Sequence, residues 1–256
     1  MFQFSAAISF VAGGLIATWS RPAAFWLTAI CALAASAIAL KLPRDARGGA
    51  SHGLNVARQG ITALRRSPRL ATLTIAWSVY WAAFTSAWFY AAPFFSERGA
   101  SDAVLGFVLG GGMLAAAAFS WVGGRIAERV PLTISVGVAS LAAAVGLVIG
   151  PSLPGLVLPV IVILVIAGAP ELVYVTLSTY LQHNTRSEFR ATSMSIAEGA
   201  LSIQMLWLFP LVGWLNEHEG WTTGYAVCAV LSLIATGLFI ASQRLTGLEA
   251  PEPAAA

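Results

Sequence analysis

The chain has 256 residues, of which 58% are hydrophobic and only 10% are charged, and its formal net charge is +3. This composition, with several apolar runs of about twenty residues, excludes a soluble globular protein and predicts an integral membrane protein. The positive charge does not indicate nucleic-acid binding, because the basic residues lie between the apolar runs. We therefore expect the chain to lie in a lipid bilayer.

The apolar runs, taken in chain order, predict eight transmembrane helices. The predicted helices span residues 1–19, 23–40, 70–95, 103–124, 132–150, 155–181, 191–214 and 222–242. No connection between them is long enough to form a second folded domain. The predicted fold class is therefore all-α, a polytopic membrane protein.

The first predicted helix begins unlike a signal peptide. The stretch MFQFSAAISFVAGGLIATW enters the membrane at once, with no basic residue before it and no convincing cleavage site after it. The chain reads as though a segment upstream of it were missing, and we expect such a segment in the intact protein.

Two polar segments flank the last six helices. Residues 41–69 are basic and contain the stretch LNVARQGITALRR, which predicts a short interfacial helix. Residues 243–256 have the Pro, Ala and Glu content of a disordered tail.

The basic residues are distributed unequally between the two sides of the predicted bundle. Of the 14 Lys and Arg residues, only Arg21 and Arg98 fall on one side, and the rest fall on the side of the 41–69 segment. The positive-inside rule therefore predicts that both termini are cytoplasmic. Five tryptophans are expected near the external interface: Trp19, Trp26, Trp88, Trp214 and Trp221.

Two loop motifs resemble those of a known transporter family. The stretch GRIAERVP, Gly124 to Pro131, is similar to the Gly-x-x-x-Asp-Arg-x-Gly loop of the major facilitator superfamily, with Glu128 in place of Asp and Pro131 in place of Gly. The stretch NTRSEFRATSMSI, residues 184–196, resembles the loop that enters the eleventh helix of that family. Both motifs lie at the spacing that the family implies.

The resemblance covers the last eight of the family's twelve helices. It implies that residues 1–40 are two helices of the N-terminal half, 41–69 the cytoplasmic linker, 70–242 the complete C-terminal half and 243–256 a cytoplasmic tail. It also implies a secondary transporter for a small solute, with no cofactor. The glycine pair Gly13-Gly14 resembles the family's fifth helix but lacks the Gly-Pro signature of many drug antiporters, so drug efflux is not implied.

The same resemblance implies a cytoplasmic gate built from the two loop motifs. Its residues are Gly124, Glu128, Arg129 and Arg190. Glu128 and Arg129 could form a charge lock against the start of another helix. The alternative is an ordinary basic cytoplasmic loop, which explains the arginines but not Glu128.

Two glutamates, Glu171 and Glu198, lie inside predicted helices. A carboxylate at depth in a bilayer costs roughly 2.5–3.5 kcal/mol, so it tends to hold its proton or to find a partner. Helical spacing places Tyr174 and Ser178 on the face of Glu171. The preceding Gly168–Pro170 segment predicts a weakened or kinked helix beside that carboxylate.

We interpret these glutamates as proton-coupling groups or as partners of a cationic substrate group. Glu198 has Ser195 and Ser202 on its own face, which makes a second polar stripe. The alternative is that each glutamate is a silent interhelical hydrogen-bonding residue, or that Glu198 reaches the nearby cytoplasmic interface.

An aromatic stripe follows the third predicted helix. Its members are Trp77, Trp81, Phe84 and Trp88, with Tyr80 and Thr85 alongside. We expect Trp77, Tyr80 and Trp81 to bind substrate by stacking and cation–π contacts. Lipid contact or helix packing explains the stripe equally well.

Other functional classes fit the sequence less well. All three histidines lie in predicted loops, and the pattern predicts neither an enzyme nor a metal site. The function predicted from sequence is a proton-coupled carrier in a bacterial inner membrane. The alternative is a non-transporting fragment, or a subunit that needs a second copy or a partner to complete the carrier.

Overall fold

Eight helices form the described part of the chain. The computed structural model describes residues 2–41, 61–62, 67–127, 129–183 and 190–244. The helices are α1 Phe2–Trp19, α2 Arg21–Ala39, α3 Pro68–Glu97, α4 Asp102–Ala127, α5 Leu132–Ile149, α6 Val157–His183, α7 Arg190–His218 and α8 Trp221–Arg244. Each coincides with a predicted helix to within a few residues. No strand occurs within these described ranges.

Most of these helices can cross a membrane. Six of them, α2 and α4 to α8, are long and apolar enough to do so by length and composition, and α1 is a shorter apolar helix. The helix α3 is 30 residues long and less apolar, because it carries many Trp, Tyr, Ser and Thr side chains. The prediction of an all-α polytopic membrane protein is confirmed.

The helix boundaries follow local sequence signals. Ser20 and Ser67 cap α2 and α3, and each side chain accepts a hydrogen bond from a backbone N–H three residues later, at 3.3 Å. Each cap is followed by a proline in the first turn, where the missing N–H costs nothing. Gly99 and Gly220 follow α3 and α7 with φ of +85° and +89°, which glycine adopts without strain.

The last six helices pack into one bundle around α3. The longest shared surfaces join α3 with α8, α3 with α7, α5 with α6 and α8, and α4 with α6. The largest fully buried side chains in this core are Trp77, Tyr80, Phe95, Phe239, Leu147 and Leu208.

The helix α1 packs against α4 through a glycine seam. A Cβ added at Gly14 would lie 2.6 Å from the Asp102 carbonyl oxygen and 2.7 Å from the Gly106 Cα. A Cβ added at Gly110 would lie 3.0 Å from the Ala7 carbonyl oxygen. Gly106 and Gly110 form a Gly-x-x-x-Gly pair, so the two backbones approach closely, as in membrane helix pairs. The helix α2 packs chiefly against α1.

One end of the bundle, which we call the Arg98 end, is held by polar contacts. Arg98 Nη2 donates to the Pro151 carbonyl oxygen at 2.5 Å, and its Nη1 donates to the Leu153 carbonyl oxygen at 2.8 Å. Arg21 forms a 3.0 Å salt bridge with Asp102. The two arginines thus lie on the same end, as the predicted alternation of helices requires.

Several expectations need qualification. The helix α6 continues through Pro170 without interruption, so the expected weak point is not a break. Trp88 does not stand free at an interface, because its ring lies 6.2 Å from that of Phe10 in α1 and covers Gly112 in α4. The interfacial helix expected in the linker lies outside the described residues except for positions 61 and 62, which are helical. The tail beyond residue 244 lies outside them too.

Candidate functional site

Glu171 occupies the middle of α6. It lies about 21 Å from the Val157 end of the helix and about 18 Å from the His183 end, at the rise of an α-helix. Its carboxylate accepts a hydrogen bond from Gln3 Nε2 of α1 at 3.4 Å. The buried Ser120 hydroxyl of α4 lies near the same carboxylate and has no hydrogen-bond partner among the described residues. Three helices therefore bring polar groups together at one depth.

The partners of Glu171 are chemically neutral. An amide and a hydroxyl each offer a donor and an acceptor, so they can satisfy either the ionised or the protonated carboxyl group. Among the described residues, the only salt bridge joins Arg21 to Asp102, at the Arg98 end. Glu171 is therefore a half-buried acid without a fixed counter-ion in that part of the chain.

An aromatic cluster adjoins this carboxylate. The ring of Tyr174, one helical turn after Glu171, lies 4.7 Å from the ring of Trp81 and 5.7 Å from that of Trp77. Trp77 is buried, while Trp81 and Tyr174 are partly exposed. The indole N–H of Trp77 is buried and has no hydrogen-bond partner among the described residues. We call Trp77, Trp81 and Tyr174 the aromatic corner.

Glu198 lies near the aromatic corner. Glu198 and Glu171 are both close enough to the Tyr174 hydroxyl group to act on it electrostatically. Glu198 is exposed on α7, about 12 Å from the Arg190 end of that helix. Ser195 and Ser202, on its face, are exposed too, and the Ser202 hydroxyl donates to the Glu198 carbonyl oxygen.

Two of the predicted site residues lie apart from this cluster. Ser178 is buried and donates to the Tyr174 carbonyl oxygen of its own helix at 2.6 Å. Tyr80 is 1% exposed, packs its ring 4.8 Å from that of Phe84, and its buried hydroxyl has no hydrogen-bond partner among the described residues. The structure brings together Glu171, Glu198, Tyr174, Trp77 and Trp81, and it leaves Ser178 and Tyr80 in helix packing.

The predicted gate lies at the opposite end of the bundle. Gly124 and Arg129 are exposed there. Glu128 and the side chain of Arg190 lie outside the described residues, so the expected charge lock stays a prediction. Arg125 places its guanidinium 3.4 Å from the centroid of the Trp121 ring, within its own helix.

Sequence reasoning missed Gln3 and Ser120. Each is one uncharged polar residue in an apolar helix, and such residues are common in helix packing. No spacing rule relates Gln3 to Glu171, because they are 168 residues apart. Only the packing of α1 on α4 and of α4 on α6 brings them to one place.

The sequence matches the family model of the Major Facilitator Superfamily over residues 1–203 and again over residues 93–256. Together the two matches cover the whole chain. The chain belongs to the major facilitator superfamily. No curated protein matches it. As a major facilitator protein it is a membrane transporter by family, and the match confirms the resemblance carried by the two loop motifs.

Proposed function

We propose that this protein is a secondary active transporter that moves a small solute across a bacterial inner membrane with coupled movement of protons. The family supports transport. The observation that carries proton coupling is Glu171, a carboxyl group at mid-helix depth that accepts a hydrogen bond from the neutral Gln3 side chain and has the neutral Ser120 hydroxyl nearby. An ionisable group at that depth is expensive and generally functional.

In this mechanism Glu171 gains and loses a proton as the carrier changes its exposure. Gln3 donates to the ionised carboxylate, and its amide oxygen can accept from the protonated form. Because Gln3 belongs to α1 and Glu171 to α6, movement of α1 relative to α6 would separate the pair. The protonation state of Glu171 would then be linked to the arrangement of the helices.

The aromatic corner and Glu198 form the adjoining substrate wall in this proposal. Trp81 and Tyr174 offer partly exposed ring faces, and Trp77 supports them from behind. Ser178 and Tyr80 contribute by holding the wall rather than by contacting the solute. The residues Gly124, Glu128, Arg129 and Arg190 form the cytoplasmic gate, with both termini on that side of the membrane.

Proton coupling is tested with the purified chain in proteoliposomes. A pH gradient is imposed, and accumulation is measured for a panel of labelled amino acids, sugars and amines. For a solute that the gradient concentrates, Glu171→Gln should abolish gradient-driven accumulation while downhill exchange continues. The matched control is Glu217→Gln, the same change at an exposed position near the end of α7. Gradient-driven accumulation that survives Glu171→Gln would show that another group carries the proton.

A second candidate is a subunit of a larger carrier. The exposed Glu198 face of α7 and the helix α2, of which no residue in the spanning window is buried, favour this reading. A carboxylate at that depth needs water or a protein partner. The mass of the protein in detergent shows whether it is a single chain. Transport of solute by a single chain would exclude the need for a partner.

A further inference from the structure

We propose that the aromatic corner and its two flanking glutamates form a binding site for a small organic cation with an ammonium head group. This inference rests on the proposed transport function and names its substrate class. The site consists of Trp81 and Tyr174 with Glu171 and Glu198, and Trp77 lies behind the rings.

Two carboxylates on different helices lie near the aromatic corner. Glu171 precedes Tyr174 by one helical turn of α6, and Glu198 of α7 is close enough to act electrostatically on the Tyr174 hydroxyl. Neither glutamate forms a salt bridge with any Lys, Arg or His in the described part of the chain. A cation placed beside Tyr174 would interact favourably with both carboxylates, whereas an anion would be repelled by both.

The relative orientation of the Trp81 and Tyr174 rings also favours a cation. The centroids of Trp81 and Tyr174 are 4.7 Å apart and their planes are inclined at 35°, so the rings form a corner rather than a closed stack. Both rings are partly exposed. The face of an aromatic ring is electron-rich, and tryptophan attracts cations most strongly, so such corners favour substituted ammonium groups.

The aromatic corner is supported by a buried side chain. Trp77 is 2% exposed and lies 5.7 Å from the Tyr174 ring. Packing against this buried side chain limits the movement of the Tyr174 ring, which lowers the entropy lost on binding.

The test is equilibrium binding to the 256-residue chain in nanodiscs of zwitterionic lipid, measured by calorimetry. The probes are choline, phenyltrimethylammonium and 3,3-dimethyl-1-butanol, the uncharged isostere of choline. We expect saturable binding of at least one cation and none of the alcohol. Trp81→Leu and Glu198→Gln should each weaken the binding about tenfold, the size of a desolvated cation–π or charge contact.

Two further variants make the result decisive. Trp207→Leu, a matched change of an exposed tryptophan on α7, should leave binding unchanged. Trp81→Phe keeps an aromatic face and should fall between wild type and Trp81→Leu, which covers the case in which the leucine variant fails to fold. Absence of saturable cation binding, equal binding of the alcohol, or an affinity that is unchanged in both Trp81→Phe and Glu198→Gln would overturn the proposal. If the unsubstituted protein binds the cation but shows no proton-driven accumulation, the result would instead count against proton coupling alone.

Discussion

Arg98 illustrates how one side chain can organise an end of the bundle. Its guanidinium donates to the carbonyl oxygens of Pro151 and Leu153, and at 3.4 Å to that of Gly155, while it lies 4.2 Å from the centroid of the Phe94 ring. These carbonyls belong to the connection between α5 and α6, where backbone groups have few other partners. The planar guanidinium can meet several of them at once.

We predict that Arg98→Ala lowers the stability of the protein by about 2 kcal/mol, because hydrogen bonds to a charged group are lost and carbonyls are left unpaired. The comparison is Arg21→Ala, which removes a salt bridge whose arginine side chain is 73% exposed, and it should have a clearly smaller effect. Thermal unfolding in detergent micelles measures both. Equal midpoints for the two variants would contradict the role assigned to Arg98.

Only some residues of the candidate site were predictable from the sequence. Glu171, Glu198 and the tryptophans attract notice because charge and large rings are unusual or periodic within apolar helices. Tyr80 and Trp81 are adjacent in sequence, yet the ring of Tyr80 packs against Phe84 of its own helix and the ring of Trp81 packs against Tyr174. Helical spacing identifies a face but not the helix that covers it, so Tyr80 was grouped with the site and Ser120 was overlooked.

The contact between helices α1 and α4 depends on glycine residues, which have no side chain to keep the two backbones apart. Gly14 faces backbone atoms of α4, whereas the neighbouring Gly13 would place a Cβ in open space. The two glycines therefore offer a matched pair in one helix. A methyl group at the first position must push the helices apart, and at the second it only restricts the backbone.

We predict opposite effects for the two substitutions. Gly14→Ala should lower the free energy of unfolding by roughly 1–3 kcal/mol, the usual cost of forcing an extra methyl group into a packed interface. Gly13→Ala should be neutral or stabilising by up to about 1 kcal/mol, because alanine favours the helix. Unfolding in detergent, followed by tryptophan fluorescence, checks both signs. Gly14→Ala that is as stable as Gly13→Ala would contradict the close approach of the helices at Gly14.

The helices themselves were the most predictable feature. The apolar runs place most boundaries to within three residues, since hydropathy is a local signal. The seventh helix was predicted to stop at Trp214 but continues to His218. The pairing of α1 with α4 could not be predicted in this way, because the close approach appears only when Gly14 and Gly106 face each other.

For the whole molecule, the described helices form a six-helix bundle with α1 attached along α4 and α2 packed chiefly against α1. The attachment runs through the glycine seam, the Gln3–Glu171 hydrogen bond and the Arg21–Asp102 salt bridge. A shift of α1 would therefore be felt at mid-helix depth by Glu171 and at the Arg98 end by Asp102. This geometry fits the proposed linkage between proton uptake and helix movement.

The distribution of basic residues predicts the orientation of the protein in the membrane. With Cys31→Ser and Cys228→Ala as a cysteine-free background, single thiols are introduced by Ser101→Cys, at the Arg98 end, or by Thr62→Cys, in the basic segment. Only two of the 14 basic residues, Arg21 and Arg98, lie at the first end, so we expect it to face outward. A membrane-impermeant maleimide should label the first variant in intact cells and the second only after permeabilisation. The reverse labelling pattern would invert the topology and move Gly124, Arg129 and Arg190 from a cytoplasmic to an external gate.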